Sequence, residues 1–266
     1  MNSLDLIDAR MAEVLDTLRQ RAEPFAIATI IRTAGVTAAK PGAKALLDGD
    51  GSIRHGWIGG GCTKGALKRS VVKAMQDGKP QLISVAPDEA LSQRGVSPGE
   101  EVDGVQFSSN GCPSEGTIDI FVEPCFPKPV LVIYGNSPVA VGLQELATRL
   151  GWEANIQDIE QDLAPLGSGP SRMIVIATQG QGDFAALQKS LADKTKYIAF
   201  VGSRKKYAAL GKHLIAAGFE PARVNAVHAP AGLNIGAVTP EEIALSILAE
   251  LTQLRRHELA GEVNGP

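Results

Sequence analysis

Gly59-Gly60-Gly61-Cys62 sets three glycines directly before a cysteine, and Asn110-Gly111-Cys112-Pro113 places a second cysteine in a polar, glycine-flanked stretch. Glycine lets the backbone approach a ligand closely and take positive φ. The residues after Gly61 read as a helix, whose start offers unsatisfied N–H groups and the positive end of a dipole, a setting for anions. A thiol placed there gains thiolate character. The pattern describes a cradle for an anionic ligand, Gly59, Gly60 and Gly61, beside soft, metal-competent sulfurs at Cys62 and Cys112. The competing reading makes each cysteine a small buried apolar residue. At Cys62 the glycine run weighs against it.

Composition narrows the classes. The chain has 266 residues, 44% of them hydrophobic, so one large domain or two small ones can be packed. With 26 basic and 29 acidic residues the charge is nearly balanced, which argues against a nucleic-acid partner. Aromatic residues are 5%, too few for a base-stacking platform. No apolar run approaches the length of a membrane span, and the polar start, Met1 to Arg10, does not read as a secretory leader. Three cysteines without C-x-x-C spacing predict neither a disulfide framework nor a closed zinc site, and suit a reducing, cytoplasmic setting.

The elements that must position the cysteines follow from periodicity. Leu4, Ile7, Met11, Val14, Leu15 and Leu18 recur at helical spacing. Phe25 to Ile31 reads as a strand. Ala43 to Leu47 and Ile53 to Ile58 read as a strand pair around the turn Asp48-Gly49-Asp50-Gly51. Leu67, Val71, Ala74 and Met75 mark the helix after Cys62, stopped by Gly78 and Pro80. Gln81 to Val85 is a strand, residues 86–111 read as a long loop, and Thr117 to Val122 is a further strand. The run Glu123 to Pro129 holds three prolines and reads as a stiff linker. The boundaries are 1–124 for an α+β N-terminal domain, 125–129 for the linker, 130–257 for a second domain and 258–266 for a tail.

The second domain changes period. Val130 to Tyr134, Glu153 to Ile156, Met173 to Ala177 and Tyr197 to Val201 are strands alternating with helices, which predicts a Rossmann-like, doubly wound parallel sheet. The crossover at 157–172 holds Pro165, Gly167 and Pro170, so a stunted or missing helix is expected there. Thr239 to Arg256 is the last helix, with Pro240 in its first turn. The dinucleotide fingerprint G-x-G-x-x-G/A falls on Gly135, Ser137 and Ala140. Ser137 crowds the close approach and Pro138 removes a donor, while Asp158 stands about twenty residues on, where an acid grips a ribose. Thr178 and Gln179 follow one strand and Gly202, Ser203 and Arg204 the next. These are loop positions for a nucleotide, the latter group suited to phosphate.

Taken in order, these motifs resemble the XdhC/CoxI family, accessory factors of molybdenum hydroxylases such as xanthine dehydrogenase and carbon monoxide dehydrogenase. The resemblance spans nearly the whole chain. It rests on Pro41-Gly42-Ala43-Lys44, Gly59 to Cys62, the Cys112 segment, Phe200 to Lys206, Pro230 to Gly236 and Thr239 to Ala244. Ser137-Pro138-Val139-Ala140 and Ala177 to Asp183 look closest to the carbon monoxide dehydrogenase branch. The resemblance implies a non-catalytic chaperone that binds molybdenum cofactor, as molybdopterin or its cytosine dinucleotide. It implies help with sulfuration, protection of the cofactor and its insertion into an apo hydroxylase, with a sulfurtransferase as a second partner and a homodimer as the usual assembly. The chain departs from the family at Thr63-Lys64, where many members have Leu-Glu, and in the residues around Cys112 and Gly35.

Three other readings compete. One is a nucleotide-dependent oxidoreductase using the Rossmann half, opposed by Ser137 and Pro138. Another is a copper-insertion factor, which needs Cys62 and Cys112 to converge as Cu(I) ligands. A pure scaffold leaves the glycine–cysteine cradle unexplained. Among the histidines, only His55 lies near a key cysteine, so a Cys–His nucleophile pair lacks local support. His213, His228 and His257 are expected to be structural or exposed, and Cys125 is given no role.

Overall fold

The computed structural model describes residues 9–110, 116–161, 163, 172–193, 195 and 197–259. The chain divides into two compact units, one formed by the residues up to Pro127 together with those from His257 on, the other by Lys128–Arg256.

The first unit is a seven-stranded sheet with helices on both faces. Helix α1 spans Ala9–Gln20. Strands β1 (Phe25–Ala34), β2 (Lys44–Asp48) and β3 (Ile53–Gly56) follow, then α2 (Gly61–Asp77) and β4 (Gln81–Ala86). The unit closes with α3 (Asp88–Gln93), β5 (Glu101–Val102), β6 (Val105–Ser109) and β7 (Thr117–Cys125). The sheet order is β3-β2-β1-β7-β4-β6-β5. Strand residues alternate between the faces. Ala26, Ala28, Ile30, Ala45 and Leu47 bury against Ala66, Leu67, Val71 and Ala74 of α2. Phe25 and Leu46, one residue out of phase, bury against Met11 and Leu18 of α1.

Two expectations change. Residues 86–111 are not a long loop, because they carry α3, β5 and β6. Gly95, Gly99 and Gly104 have positive φ and close tight turns between these short elements. Leu91 and Phe107 bury beside Ala86, and β6 pairs in parallel with β4 from Leu82↔Val105 to Ala86↔Ser109. The proline-rich run also begins as strand, since β7 continues to Cys125 with Pro124 opposite Ala26. Pairing with β4 ends at Val122, so Pro124 lies where β7 is flanked on one side only and its missing N–H costs no ladder bond.

The second unit holds the expected parallel sheet. Strand β8 (Val130–Tyr134) leads into α4 (Pro138–Arg149) and β9 (Glu153–Gln157). Strand β10 (Arg172–Ile176) leads into α5 (Asp183–Ala192), β11 (Tyr197–Phe200), α6 (Arg204–Ala216), α7 (Pro221–Asn225) and α8 (Pro240–Leu259). The strand order is β11-β10-β8-β9, all parallel. Leu131, Ile133 and Val175 face α4 and α8. Val132, Tyr134, Ile174 and Ile176 face α5, α6 and α7. The sheet is therefore doubly wound, and the chain switches direction between β8 and β10. Most of the crossover between β9 and β10, where a stunted helix was expected, lies outside the described residues.

Candidate functional site

In the first unit the topology gathers the motif segments at one sheet edge. β1 ends there, with Ala34 opposite Thr117 at the start of β7. β4 and β6 end together there, with Ala86 opposite Ser109. β3 runs parallel to β1, since both pair antiparallel with β2. Helix α2 leaves β3 at this edge and returns along the sheet face to the start of β4. The Gly59–Cys62 run thus shares an edge with the turn after β1 and with the ends of the Cys112 segment. Asn110 donates from Nδ2 to the Gly116 carbonyl at 2.7 Å. A Cβ on Gly116 would stand 2.5 Å from the Val36 carbonyl oxygen. Cys112 itself lies outside the described residues, as does the side chain of Cys62, the second residue of α2.

The three glycines are not equivalent. Gly59 has φ +118°, and a Cβ there would meet Thr63 Oγ1 at 3.0 Å, so the fold itself demands glycine. Gly60 is the N-cap of α2 with φ −78° and ψ −166°, and it offers no side-chain cap. Neither Gly60 nor Gly61 has positive φ. Both are exposed, and a Cβ on either would meet nothing within 4 Å. A serine at the cap or an alanine in the first turn would suit the helix better. The two glycines leave open space over a helix start whose first N–H groups have no partner within the helix.

In the second unit the switch point falls where Gly135 leaves β8 and Ala177-Thr178 leaves β10. Gly135 has φ +106°, and a Cβ would lie 2.6 Å from both the Ala177 carbonyl oxygen and Thr178 Cα. The two loops are in backbone contact at the place where open α/β sheets bind ligands. The phosphate cradle beside them is reduced. Ser137 is buried and accepts the Ala140 N–H at 3.1 Å, and Pro138 at the first helical position has no N–H to give. Asp158, directly after β9, is exposed and accepts the Glu160 N–H at 3.2 Å.

Thr178 and Gln179 belong to a loop held from within. Asp183 at the start of α5 is buried. Its carboxylate accepts the Thr178 hydroxyl and the Gly180 N–H, the latter at 3.1 Å, and pairs with Lys206 of α6. Gln179 takes φ +51° inside this turn. Lys206 also lies 5.6 Å from the centre of the Phe200 ring. Ser203 caps α6 by accepting the Lys206 N–H at 3.2 Å. Gly202 is needed because a Cβ would fall 2.4 Å from Phe200 Cε1. Arg204, the first residue of α6, is exposed. Sequence spacing does not reveal Asp183 as a clamp, since Lys206 lies 23 residues away.

A second cluster joins residues too far apart along the chain for sequence spacing to reveal it. Glu250 of α8 accepts from Tyr197 Oη at 2.6 Å, from the Gly232 N–H at 2.8 Å and from His228 Nδ1 at 3.1 Å. The His228 ring lies against Tyr197 with centroids 4.7 Å apart. Backbone bonds of residues 228–231 run alongside β11, with the His228 N–H donating to Ile198 at 2.9 Å and the Ala231 N–H to Phe200 at 3.0 Å. Glu250 thereby pins the segment Pro230 to Gly236 to the sheet and to α8.

Both carboxylates are held below the usual range. At Asp183 burial pushes upward, but the bonds from Lys206, Thr178 and Gly180 outweigh it. At Glu250 burial pushes upward, and bonds from His228, Tyr197 and Gly232 outweigh it. Burial and Glu250 push the Tyr197 phenol above its ordinary value. A carboxylate with a depressed folded pKa contributes stability that is complete above its unfolded pKa and is lost as pH falls through the folded value. The second unit is therefore expected to keep full stability at neutral pH and to lose it below about pH 5. Urea melts from pH 7 to pH 3 check this. Asp183→Asn should flatten the acid limb, and an unchanged limb would remove Asp183 from the account.

No helix among the described residues is long and apolar enough to cross a membrane, and no cluster of three metal-ligating side chains occurs among them. The model of the XdhC and CoxI family matches residues 18–86, and that of the XdhC Rossmann domain matches residues 131–251. The uncharacterized protein YqeB of Escherichia coli (strain K12) is 28% identical over 265 residues, 91% of this chain and 46% of its own length. A probable xanthine dehydrogenase subunit of Bacillus subtilis (strain 168) is 30% identical over 164 residues, 53% of this chain and 47% of its own length. This chain spans about half the length of the curated relatives it matches. A crystal structure of a xanthine dehydrogenase from Bacillus halodurans aligns with TM-score 0.42 at 22% identity, over 92% of this chain and 95% of that one. With one family match in each unit, one on the sheet that carries the glycine run and one on the parallel sheet, the chain belongs to the XdhC and CoxI family.

Proposed function

We propose that this chain is an accessory factor in the maturation of a molybdenum hydroxylase of the xanthine dehydrogenase type, and that it binds molybdenum cofactor at the α2 edge of its first unit. Family membership and the Bacillus subtilis relative support the hydroxylase link. The observation that carries the binding site is the pair Gly60 and Gly61. They are exposed, face open space and answer no backbone need, at an uncapped helix start followed by Cys62. Backbone N–H groups there would hold the anionic part of the cofactor. Thiolates of Cys62 and Cys112 would meet its soft centre. When bound, the cofactor supplies the molybdenum and its labile sulfur. The chain's part is to hold it, shield it and pass it to an apo hydroxylase, with sulfuration by a sulfurtransferase while it is held.

The Rossmann half does not favour an oxidoreductase. Its α4 start has lost one donor to Pro138 and commits another to Ser137, so a pyrophosphate finds fewer N–H groups than the fold normally offers.

The test is anaerobic binding of molybdenum cofactor to the purified chain, with molybdenum and pterin measured per chain. Stoichiometric binding is expected. Cys62→Ala and Cys112→Ala should each weaken it about tenfold, or about 1.4 kcal/mol. Gly61→Ala should bind less tightly while melting no lower than wild type, because alanine gains up to about 1 kcal/mol over glycine in a helix. Full affinity in both cysteine variants removes the thiol roles. Absence of binding by folded wild type removes the reading.

A further inference from the structure

Helix α2 is charged against its own dipole. It carries Lys64, Lys68, Arg69 and Lys73, has no acid in its first turn, and ends on its only acid, Asp77. Cations beside a helix N-terminus and an acid beside its C-terminus are both unfavourable. An ordinary solvated helix face offsets its cations with acids three or four residues away. Here Lys73 pairs with Glu101 of β5 at 2.5 Å, whereas Lys64 and Lys68 are exposed and make no salt bridge or hydrogen bond among the described residues. Asp50, the acid whose charge Lys68 feels, has both carboxylate oxygens engaged by Ser52, at 2.9 and 3.1 Å.

The two lysines lie on a defined face. Gly61, Lys64, Gly65 and Lys68 stand at i, i+3, i+4 and i+7, a single stripe of the helix, and all four are exposed. Glycine inside a helix is costly, yet Gly65 keeps this stripe low between the lysines. The turn after β2 closes one side. A Cβ on Gly51 would sit 2.8 Å from Lys68 Cα, so the turn backbone lies directly against the helix. Between turn and helix is a cavity of about 360 Å³ lined by Gly51, Ser52, Ile53, Lys64, Leu67 and Lys68. From Gly61 to Lys68 the helix rises about 10 Å.

We propose that this groove binds the phosphate-bearing part of the ligand seated at Gly59–Cys62, with Lys64 and Lys68 as its two cations. The assignment rests on the cofactor reading for the identity of the ligand, and on α2 and its cavity for the phosphate chemistry.

The experiment is a calorimetric titration of the full chain with inorganic pyrophosphate at low salt, comparing wild type with Lys64→Gln/Lys68→Gln. Melting curves without ligand are recorded for both. Wild type should bind, and the double variant should bind at least about tenfold more weakly, as expected when charge-assisted contacts are lost. Without ligand the variant should melt no lower than wild type, because neither lysine makes a salt bridge or hydrogen bond among the described residues. Equal binding by both proteins, no binding by wild type, or a variant that melts lower than wild type overturns the proposal. A parallel titration with molybdenum cofactor separates the two readings. Cofactor bound equally by wild type and variant rejects the groove and leaves the carrier function standing. Pyrophosphate binding lost in the variant, with no cofactor bound by wild type, keeps the groove as a site for a free phosphate ester and rejects the carrier function.

Discussion

Gly135→Ala is expected to destabilise the second unit by about 3 kcal/mol, the cost of a strained backbone combined with a steric clash. Two independent penalties meet at this residue. Its φ of +106° is poorly tolerated by any side chain, and the added Cβ would lie 2.6 Å from the Ala177 carbonyl oxygen and from Thr178 Cα. Both contacts are backbone atoms at the end of a central strand, so no side chain can swing aside. In a melting experiment the second unit should lose roughly 10 °C. Gly142→Ala is the matched control. Gly142 lies inside α4, and its added Cβ would meet Ala244 Cβ at an ordinary 3.5 Å. That variant should be neutral or gain up to about 1 kcal/mol from helix propensity. If Gly135→Ala melts like Gly142→Ala, the contact between the β8 and β10 loops is not a constraint on the fold.

Glu250→Ala should cost about 4 kcal/mol, because it removes the acceptor that three donors share. Glu250 serves Tyr197 Oη, His228 Nδ1 and the Gly232 N–H together. Tyr197 is buried at the start of β11. Gly232 is packed so tightly that a Cβ there would stand 2.3 Å from Ser246 Oγ. The segment from His228 to Gly236 should loosen first, seen as faster amide exchange at Ala231 and Gly232 before the unit melts. Glu250→Gln separates charge from shape. The amide oxygen still accepts one N–H, and the amide nitrogen can donate to the tyrosine or to a histidine that has changed tautomer. A loss about half that of alanine is expected, and equal losses would mean that the negative charge, rather than the hydrogen bonds, holds the segment.

These two residues mark how unevenly the molecule can be read from its chain. Strand and helix alternation after Val130 predicts the parallel sheet, because buried β8 and β10 are continuous apolar runs and the helices keep a 3.6-residue period. The stop of α2 is equally legible. Gly78 takes φ +63°, the left-handed cap that glycine supplies. Residues 86–111 defeated the same reasoning. Strands β5 and β6 are two and five residues long, too short for periodicity to register, and β6 exists because β4 is beside it.

The candidate site divides along the same line. Glycines, thiols and lysines are visible as residue types, and local spacing shows that Gly61, Lys64, Gly65 and Lys68 share a helical face. Spacing cannot show that Gly59 needs its positive φ while Gly60 and Gly61 do not, because dihedral angles depend on what the neighbouring Thr63 and the preceding strand require. Nor can it show that Asp183 is a clamp for Thr178 and Lys206, or that Glu250 reaches a tyrosine 53 residues away. The chain by itself determined the longer helices, the longer strands, the parallel half and the chemical character of the motifs, since these carry enough residues for local periodicity and propensity to register. The tertiary structure decided which sheet edge gathers those motifs, which glycines are spare and which carboxylates are buried with partners, since each of these depends on contacts between residues far apart along the chain.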